Sequence, residues 1–252
     1  MQNEVVSLVK NTMESNNISK ELSSRGYTIL QGSNVSNPEW ASTLKTISSE
    51  MSDFYQSWQD LPSDKFLSDG GHYRYRRYSV FNYLNDKLEI LPHEAHYQST
   101  YRNNMNGGIY RDYEPFKQST IDNPALKSII AFVADQISFN NEKQWRIQAH
   151  QFRIEANTAE AGKPTPEGIH RDGADFILIM LLGRDNISGG TSHIYDENKN
   201  LQFEGKLCNR GDAVLIDDRT VWHGVSEIHP LDKNKPGYRD VLVLTFHDEV
   251  LV

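Results

Sequence analysis

The run Phe176-Ile177-Leu178-Ile179-Met180-Leu181-Leu182 is apolar at every position. Successive side chains of a strand face opposite ways, so a run without a polar position predicts a strand covered on both faces. The segments 146–154, 191–195, 213–216, 221–225 and 239–246 also read as strands, the first of them alternating. Turn signals separate them: Gly162-Lys163-Pro164, Gly189-Gly190, Asn209-Arg210-Gly211 and Lys235-Pro236-Gly237. Many short strands with regular turns predict a sandwich or jelly roll.

Helical periodicity is concentrated in front of these strands. Residues 1–24 read as a modest helix with Val5, Val6, Leu8 and Val9 as its apolar positions, followed by a short strand over 26–30. Between Pro38 and Trp58, apolar residues recur at helical spacing (Leu44, Ile47, Met51, Phe54, Tyr55, Trp58), with Asn37 as N-cap. A further helix begins at Asn123-Pro124 and carries Leu126, Ile129, Ile130, Val133 and Ile137 on one face. The expected fold is mainly β with flanking helices: a double-stranded β-helix (jelly roll) core, with helices of the N-terminal half packing on one sheet. Its 252 residues suit a single domain, 1–252, without excluding two. Residues 1–69 are expected to be mostly helical and 70–252 to form the core, with an inserted helix near 123–138.

Composition removes several classes of function. A net charge of −8 with 26 Lys and Arg argues against a nucleic-acid partner, which needs a basic patch or stripe. Cys208 is the lone cysteine, so no intrachain disulfide calls for an oxidising compartment. The start of the sequence lacks a basic segment followed by an apolar one, and no apolar run approaches the roughly 18 residues of a membrane span. A cytoplasmic protein with no membrane partner is expected.

His170-Arg171-Asp172 and His223 are the strongest chemical signal. In an extended strand, positions i and i+2 share a face, so His170 and Asp172 reach one ion while Arg171 points away. With His223 from a distant strand, two imidazoles and a carboxylate occupy one face of an octahedron and leave the other open, the donor set of non-haem Fe(II) oxygenases. Alternation along Arg239, Val241, Val243 and Thr245 places a guanidinium and a hydroxyl on one strand face. A buried Arg needs an anion, and its planar fork fits a carboxylate. That carboxylate is either a ligand's or one of the chain's own, Asp240 or Asp217.

Four stretches resemble the 2-oxoglutarate- and Fe(II)-dependent dioxygenases, in the branch that holds bacterial isoleucine dioxygenase and other free L-amino acid hydroxylases. They are Pro166-Glu167-Gly168-Ile169-His170-Arg171-Asp172-Gly173, the pair Gly189-Gly190, Asp217-Asp218-Arg219-Thr220-Val221-Trp222-His223-Gly224-Val225, and Tyr238-Arg239-Asp240-Val241-Leu242. Upstream, Arg74-Tyr75-Arg76-Arg77-Tyr78-Ser79, Asn106-Gly107-Gly108 and His150-Gln151-Phe152-Arg153 extend the likeness over about residues 70 to 247. The resemblance implies that His170, Asp172 and His223 are the iron ligands and catalytic residues, and that Arg239 clamps the distal carboxylate of 2-oxoglutarate. It implies Fe(II), 2-oxoglutarate as co-substrate and O₂, with ascorbate as reductant in vitro, and release of succinate and CO₂ as a C–H bond is hydroxylated. Because Asp172 is retained, it implies hydroxylation rather than halogenation.

An amino acid zwitterion needs matched charges in its pocket. Arg76 and Arg74 are candidates for its carboxylate unless the 74–77 run is a solvated strand edge, and Asp175 for its ammonium unless it serves a turn or cap. Thr245 and Gln151 are candidates to border the co-substrate, although His150 and Phe152 occupy the other face of Gln151's strand and either face is open to the interior. Gly107-Gly108 with Tyr110 and Arg111 reads as a lid that places Tyr110 over the substrate, or as an ordinary turn. His72, His93, His96, His193, His229 and His247 lack a carboxylate at ligand spacing and are expected at the surface or in support of the site. A small-molecule amino acid substrate and a monomer or homodimer are expected. The same chemistry on a peptide, a carrier-bound amino acid or another small metabolite stays open, as does a non-catalytic metal-binding jelly roll.

Overall fold

The computed structural model of the protein describes residues 18–32, 37–103, 105–138 and 144–248. The helices are α1 (Ile18–Arg25), α2 (Pro38–Thr46), α3 (Met51–Gln56), α4 (Gln118–Ile121) and α5 (Pro124–Ile137). The strands up to the centre of the chain are β1 (Tyr27–Leu30), β2 (Arg74–Leu84), β3 (Lys87–Ile90), β4 (His96–Tyr97), β5 (Tyr110–Arg111) and β6 (Gln144–Ala156). There follow β7 (Phe176–Asp185), β8 (Ile187–Gly189), β9 (Thr191–Tyr195), β10 (Leu201–Lys206), β11 (Ala213–Asp217), β12 (Trp222–Val225), β13 (Ile228–Pro230) and β14 (Gly237–His247).

A seven-stranded antiparallel sheet, ordered β1-β11-β7-β14-β6-β2-β3, forms the backbone of the molecule. Its two faces meet different partners, which explains the uninterrupted apolar run on β7. Leu178, Met180 and Leu182 join Leu242, Leu244, Phe246, Ile147 and Ala149 in a core shared with Trp40, Phe54, Trp58 and the α5 stripe. Ile177, Ile179 and Leu181 face the other way and pack with Val214, Ile216 and Val241, and with Ile194 of the smaller sheet β10-β9-β12. The larger sheet thus has helices on one side and the small strands on the other, the arrangement expected of the jelly roll with helices on one sheet.

Helix α5 begins where expected, with Asn123 Oδ1 accepting the Ala125 amide at 2.8 Å, and all five residues of its stripe are buried. The single helix expected over 38–58 is instead two, α2 and α3. Ser48 and Ser49 fall at the junction, where backbone bonds tighten to i−3 (Ser48 N to Lys45 O, Glu50 N to Ile47 O). Serines compete for backbone groups and weaken a helix there, and the break keeps Ile47, Met51, Phe54 and Trp58 all inside. Asn37 does not cap α2; its side chain accepts the Gln31 amide at 3.3 Å. Most of the expected N-terminal helix, with Val5, Val6, Leu8 and Val9, lies outside the described residues, and α1 covers only its end.

Strand β2, eleven residues long, escaped the alternation reading because arginines occupy its inward positions. It pairs with β6 over its whole length, Arg74 opposite Ile154 and Arg76 opposite Phe152.

Trp40 fastens the helical layer to the sheet. It is fully buried, its ring lies 5.0 Å from that of Phe132, and its Nε1 donates to Gly211 O at 2.8 Å. Trp40→Ala removes that bond and a large buried volume, and should cost about 3–5 kcal/mol in urea unfolding.

Candidate active site

The inner face of the large sheet opens on a cavity of about 270 Å³. Its walls follow strand alternation: Arg239, Val241, Val243 and Thr245 on β14, Gln148, His150 and Phe152 on β6, and Arg74 and Arg76 on β2.

His170 and Asp172 do not lie on a regular strand, as the spacing had suggested. His170 forms an isolated bridge with His223 of β12 through two backbone bonds, His170 N to His223 O at 2.9 Å and His223 N to His170 O at 3.0 Å. The bridge sets the imidazoles 4.4 Å apart, centroid to centroid. Asp172 then comes from the following turn, which Asp218 pins: its carboxylate accepts the amides of Asp172 (3.2 Å), Gly173 (2.7 Å) and Ala174 (3.1 Å). Gly173 takes φ +88°, the left-handed conformation this sharp turn requires. The Asp172 carboxylate ends 3.6 Å from both His170 Nε2 and His223 Nε2. One ligand atom of each residue lies within 4.8 Å of the other two, so one divalent ion suits all three.

Strong electrostatic coupling accompanies this proximity. Burial opposes a charge on His170, yet the hydrogen bond and negative charge of Asp172 outweigh it and raise the imidazole to about 10. Asp172, against its own desolvation, is held well below the usual carboxylate range by His170. Burial, then the charge on His170, lowers His223 to about 3. Burial and the nearby Asp172 raise Asp218 to about 7. His170 Nδ1 faces Gly168 O at 3.0 Å, which leaves Nε2 toward the centre of the triad.

Arg239 is 3% exposed, and its Nη2 is buried without a hydrogen-bond partner. Neither candidate partner of its own chain is free: Arg153 holds Asp240 by two bonds of 2.8 and 2.7 Å, and Arg219 holds Asp217 by two of 2.9 and 2.8 Å. Among the described residues Arg239 has no ion pair, and burial, aided by Arg184, lowers it to about 10. A guanidinium so placed accepts an anionic ligand.

A second group of arginines lines the cavity two strands away, with Ile154 in register between Arg74 and Arg239. Arg74 and Arg76 are buried at 6% and 4% exposure, so the 74–77 run is not a solvated edge. Arg111 joins them from the hairpin β4–β5, where His96 and Arg111 turn inward while Tyr97 and Tyr110 turn out. Arg111 Nη2 donates to Gln98 Oε1 at 2.9 Å, and Gln98 Nε2 donates to Asp172 Oδ1 at 3.1 Å.

The structure places three expected residues away from the cavity and sets a fourth, Thr245, far from Arg239. Gln151 lies on the far face of β6 and donates to Ser57 Oγ at 2.8 Å, leaving His150 and Phe152 to face the cavity. Asp175 points away: its carboxylate accepts the Asp248 amide at 2.8 Å and lies 3.6 Å from Arg219. Beside Asp172, the carboxylate that lines the cavity is Glu167, 3.4 Å from His170 Nε2, with a buried, unpartnered Oε2. Tyr110 is 73% exposed and packs on Tyr97 at 4.8 Å. Thr245 lines the cavity, but six residues of strand put it about 20 Å from Arg239, too far to share one carboxylate with it.

Spacing does not single out His96, Gln98, His150 and Glu167 as pocket residues, and it offers Arg111 only as part of a lid. His96, Gln98 and Arg111 sit on a two-residue hairpin too short to show periodicity. Glu167 and Asp218 lay within the quoted motifs, but a carboxylate in a motif has no signature that separates ligand-facing from backbone-capping roles.

Fold, triad and unpaired arginine together describe an oxygenase of the jelly-roll type, and the chain belongs to the 2OG-Fe dioxygenase family, whose model matches residues 55–245. The family implies Fe(II), 2-oxoglutarate and O₂. A solved bsmA homolog from Methylobium petroleophilum is 31% identical, covers 92% of each chain and superposes with a TM-score of 0.80. L-isoleucine-4-hydroxylase from Bacillus thuringiensis is 24% identical over 183 residues, 70% of this chain and 75% of that protein. The structure of IDO from Bacillus thuringiensis shares the fold, with a TM-score of 0.75 at 18% identity over 92% of this chain and 98% of that one. Among the described residues, no helix is long and apolar enough to cross a membrane.

At pH 8, above the raised Asp218 value of about 7, Asp218→Ala removes a charged acceptor from three amides. Such bonds are worth about 1.5–3 kcal/mol, so the Gly173 and Ala174 amides should exchange about tenfold to a hundredfold faster. Unchanged exchange would show that the turn holds its shape without Asp218.

Proposed function

We propose that this dioxygenase hydroxylates an unactivated C–H bond of a free L-amino acid, with His170, Asp172 and His223 as the iron ligands. The observation that carries this reading is the pairing, in one cavity, of a guanidinium without a partner, Arg239, with a separate arginine group on β2 and β5. The first suits the distal carboxylate of 2-oxoglutarate; the second suits the carboxylate of a substrate. The likeness to L-isoleucine-4-hydroxylase supports an amino acid as that substrate.

The residues fit the iron and co-substrate that the family implies. Two imidazoles and one carboxylate converge and leave coordination positions open, and the Arg239 Nη2 lacks the acceptor that a dicarboxylate provides. Bound iron with 2-oxoglutarate and O₂ supplies the oxidising power for C–H hydroxylation, with succinate and CO₂ as by-products. The protein binds and orients. Arg239 holds one end of the co-substrate by its fork. Val241, Val243 and Ile179 give the cavity an apolar wall that excludes water from the reacting C–H bond. Glu167, in place of Asp175, takes the substrate ammonium, while Arg74, Arg76 and Arg111 take its carboxylate. The whole chain acts as one catalytic unit in the cytoplasm, as monomer or homodimer.

The test is mass-spectrometric screening of the standard L-amino acids for a product heavier by one oxygen, with Fe(II), 2-oxoglutarate and ascorbate in air. Succinate release should require O₂ and rise with the true substrate. His170→Ala should abolish turnover, and full turnover in that variant would remove His170 from the ligand set. Arg239→Gln should raise the KM for 2-oxoglutarate at least about 30-fold, the cost of leaving one partner of a buried charge pair alone. An unchanged KM would overturn the clamp.

A further inference from the structure

We infer that the preferred substrate is an amino acid with a second anionic group, an acidic L-amino acid, whose two carboxylates neutralise the cluster of Arg74, Arg76 and Arg111. This rests on the amino acid reading above and narrows it.

Charge has to balance among these buried groups. All three guanidiniums are buried, Arg111 at 2% exposure, and arginine does not escape burial by losing its proton as lysine does. Among the described residues one carboxylate serves them: Asp64, fully buried, lies 2.8 Å from Arg74 Nε and 3.8 Å from Arg76 Nη1. The remaining partners are neutral. Arg76 Nη2 meets His150 Nδ1, and Arg111 Nη2 meets His96 Nδ1 at 2.9 Å and Gln98 Oε1 at 2.9 Å. Burial, reinforced by the arginines, holds both imidazoles well below their ordinary range and so uncharged. The Arg76 Nε and Arg111 Nε are buried with no partner.

Aromatic faces relieve part of the charge: Arg76 lies 3.7 Å from the Tyr113 ring centroid and 4.4 Å from that of Phe152. A ring quadrupole does not neutralise an ion, and burial still lowers Arg76 to about 10. Of the cavity carboxylates, Asp172 belongs to the metal triad, and Glu167, whose charge also favours that of Arg74, is assigned in this balance to the substrate ammonium.

Three guanidiniums against Asp64 therefore leave two positive charges for the substrate. A neutral amino acid brings one α-carboxylate and leaves the second buried cation unmatched, whereas an acidic side chain matches it. Arg239 does not enter this balance, because 2-oxoglutarate occupies it.

Isosteric pairs test the inference. L-glutamate with L-glutamine, and L-aspartate with L-asparagine, are titrated calorimetrically without O₂ into the protein loaded with Fe(II) and saturating 2-oxoglutarate. One acid should bind at least about 30-fold tighter than its amide, the scale of a buried charge left unpaired. The same acid should accelerate succinate release in air. Arg111→Gln, checked for folding by circular dichroism, should bring acid and amide close to parity. Amides or aliphatic amino acids that bind and turn over as well as the acids would overturn the inference and leave the hydroxylase reading standing. Binding and turnover by no standard L-amino acid would overturn both. An acid preference that survives in Arg111→Gln would place the second carboxylate elsewhere and overturn the assignment to this cluster.

Discussion

Strand β14 has to satisfy two incompatible surroundings, and the site depends on its doing so. Leu242, Leu244 and Phe246 anchor the helical layer, while Arg239, Val241, Val243 and Thr245 line the cavity. A slip of one residue would bury the arginine among helices and turn leucines into the pocket. Pairing with β6 and β7 along the strand fixes the register, and the helices with their tryptophans hold the outer face. The packing of an apolar surface thus decides where a guanidinium points.

Inside that frame the protein concentrates charge and keeps it from self-cancelling. Asp240, the immediate sequence neighbour of Arg239, and Asp217, just upstream of His223, are committed to Arg153 and Arg219. Arg239 is left, among the described residues, without an internal counter-ion. Likewise His96 and His150, two groups that would compete for anions if protonated, are held neutral among three arginines. The cost of burying these charges is offset by apolar packing elsewhere, chiefly the large core on the opposite face of the sheet.

The sequence made the frame and the triad legible for definite reasons. The continuous run on β7 reported its two-sided burial, and alternation on β14 correctly aligned Arg239 with Val241, Val243 and Thr245. Alternation on β6 could not choose between its faces, because both carry polar residues, and only the contact of Gln151 with Ser57 settles it. Strand β2 was obscured by its own composition: arginines stand where apolar residues normally announce a buried face. Asp175 and Glu167 are both acids flanking His170. What separates them is where the chain turns at Gly173, a tertiary matter that spacing does not encode.

The hairpin β4–β5 has a consequence for how such an enzyme diversifies. Among the described strands it pairs only with itself, and it meets the large sheet through side chains such as His96 on Tyr78 and His150 rather than through a ladder. Yet it delivers His96 and Arg111 to the pocket, and Gln98, just beyond β4, reaches from Arg111 to Asp172. Exchange of a few hairpin residues would therefore alter what the pocket admits at little cost to the packed sheet. The contact between Gln98 and Asp172 is the restraint on that freedom. It makes the hairpin a replaceable cassette with one fixed point of attachment to the chemistry, a division of labour between an inherited engine and an interchangeable mouth.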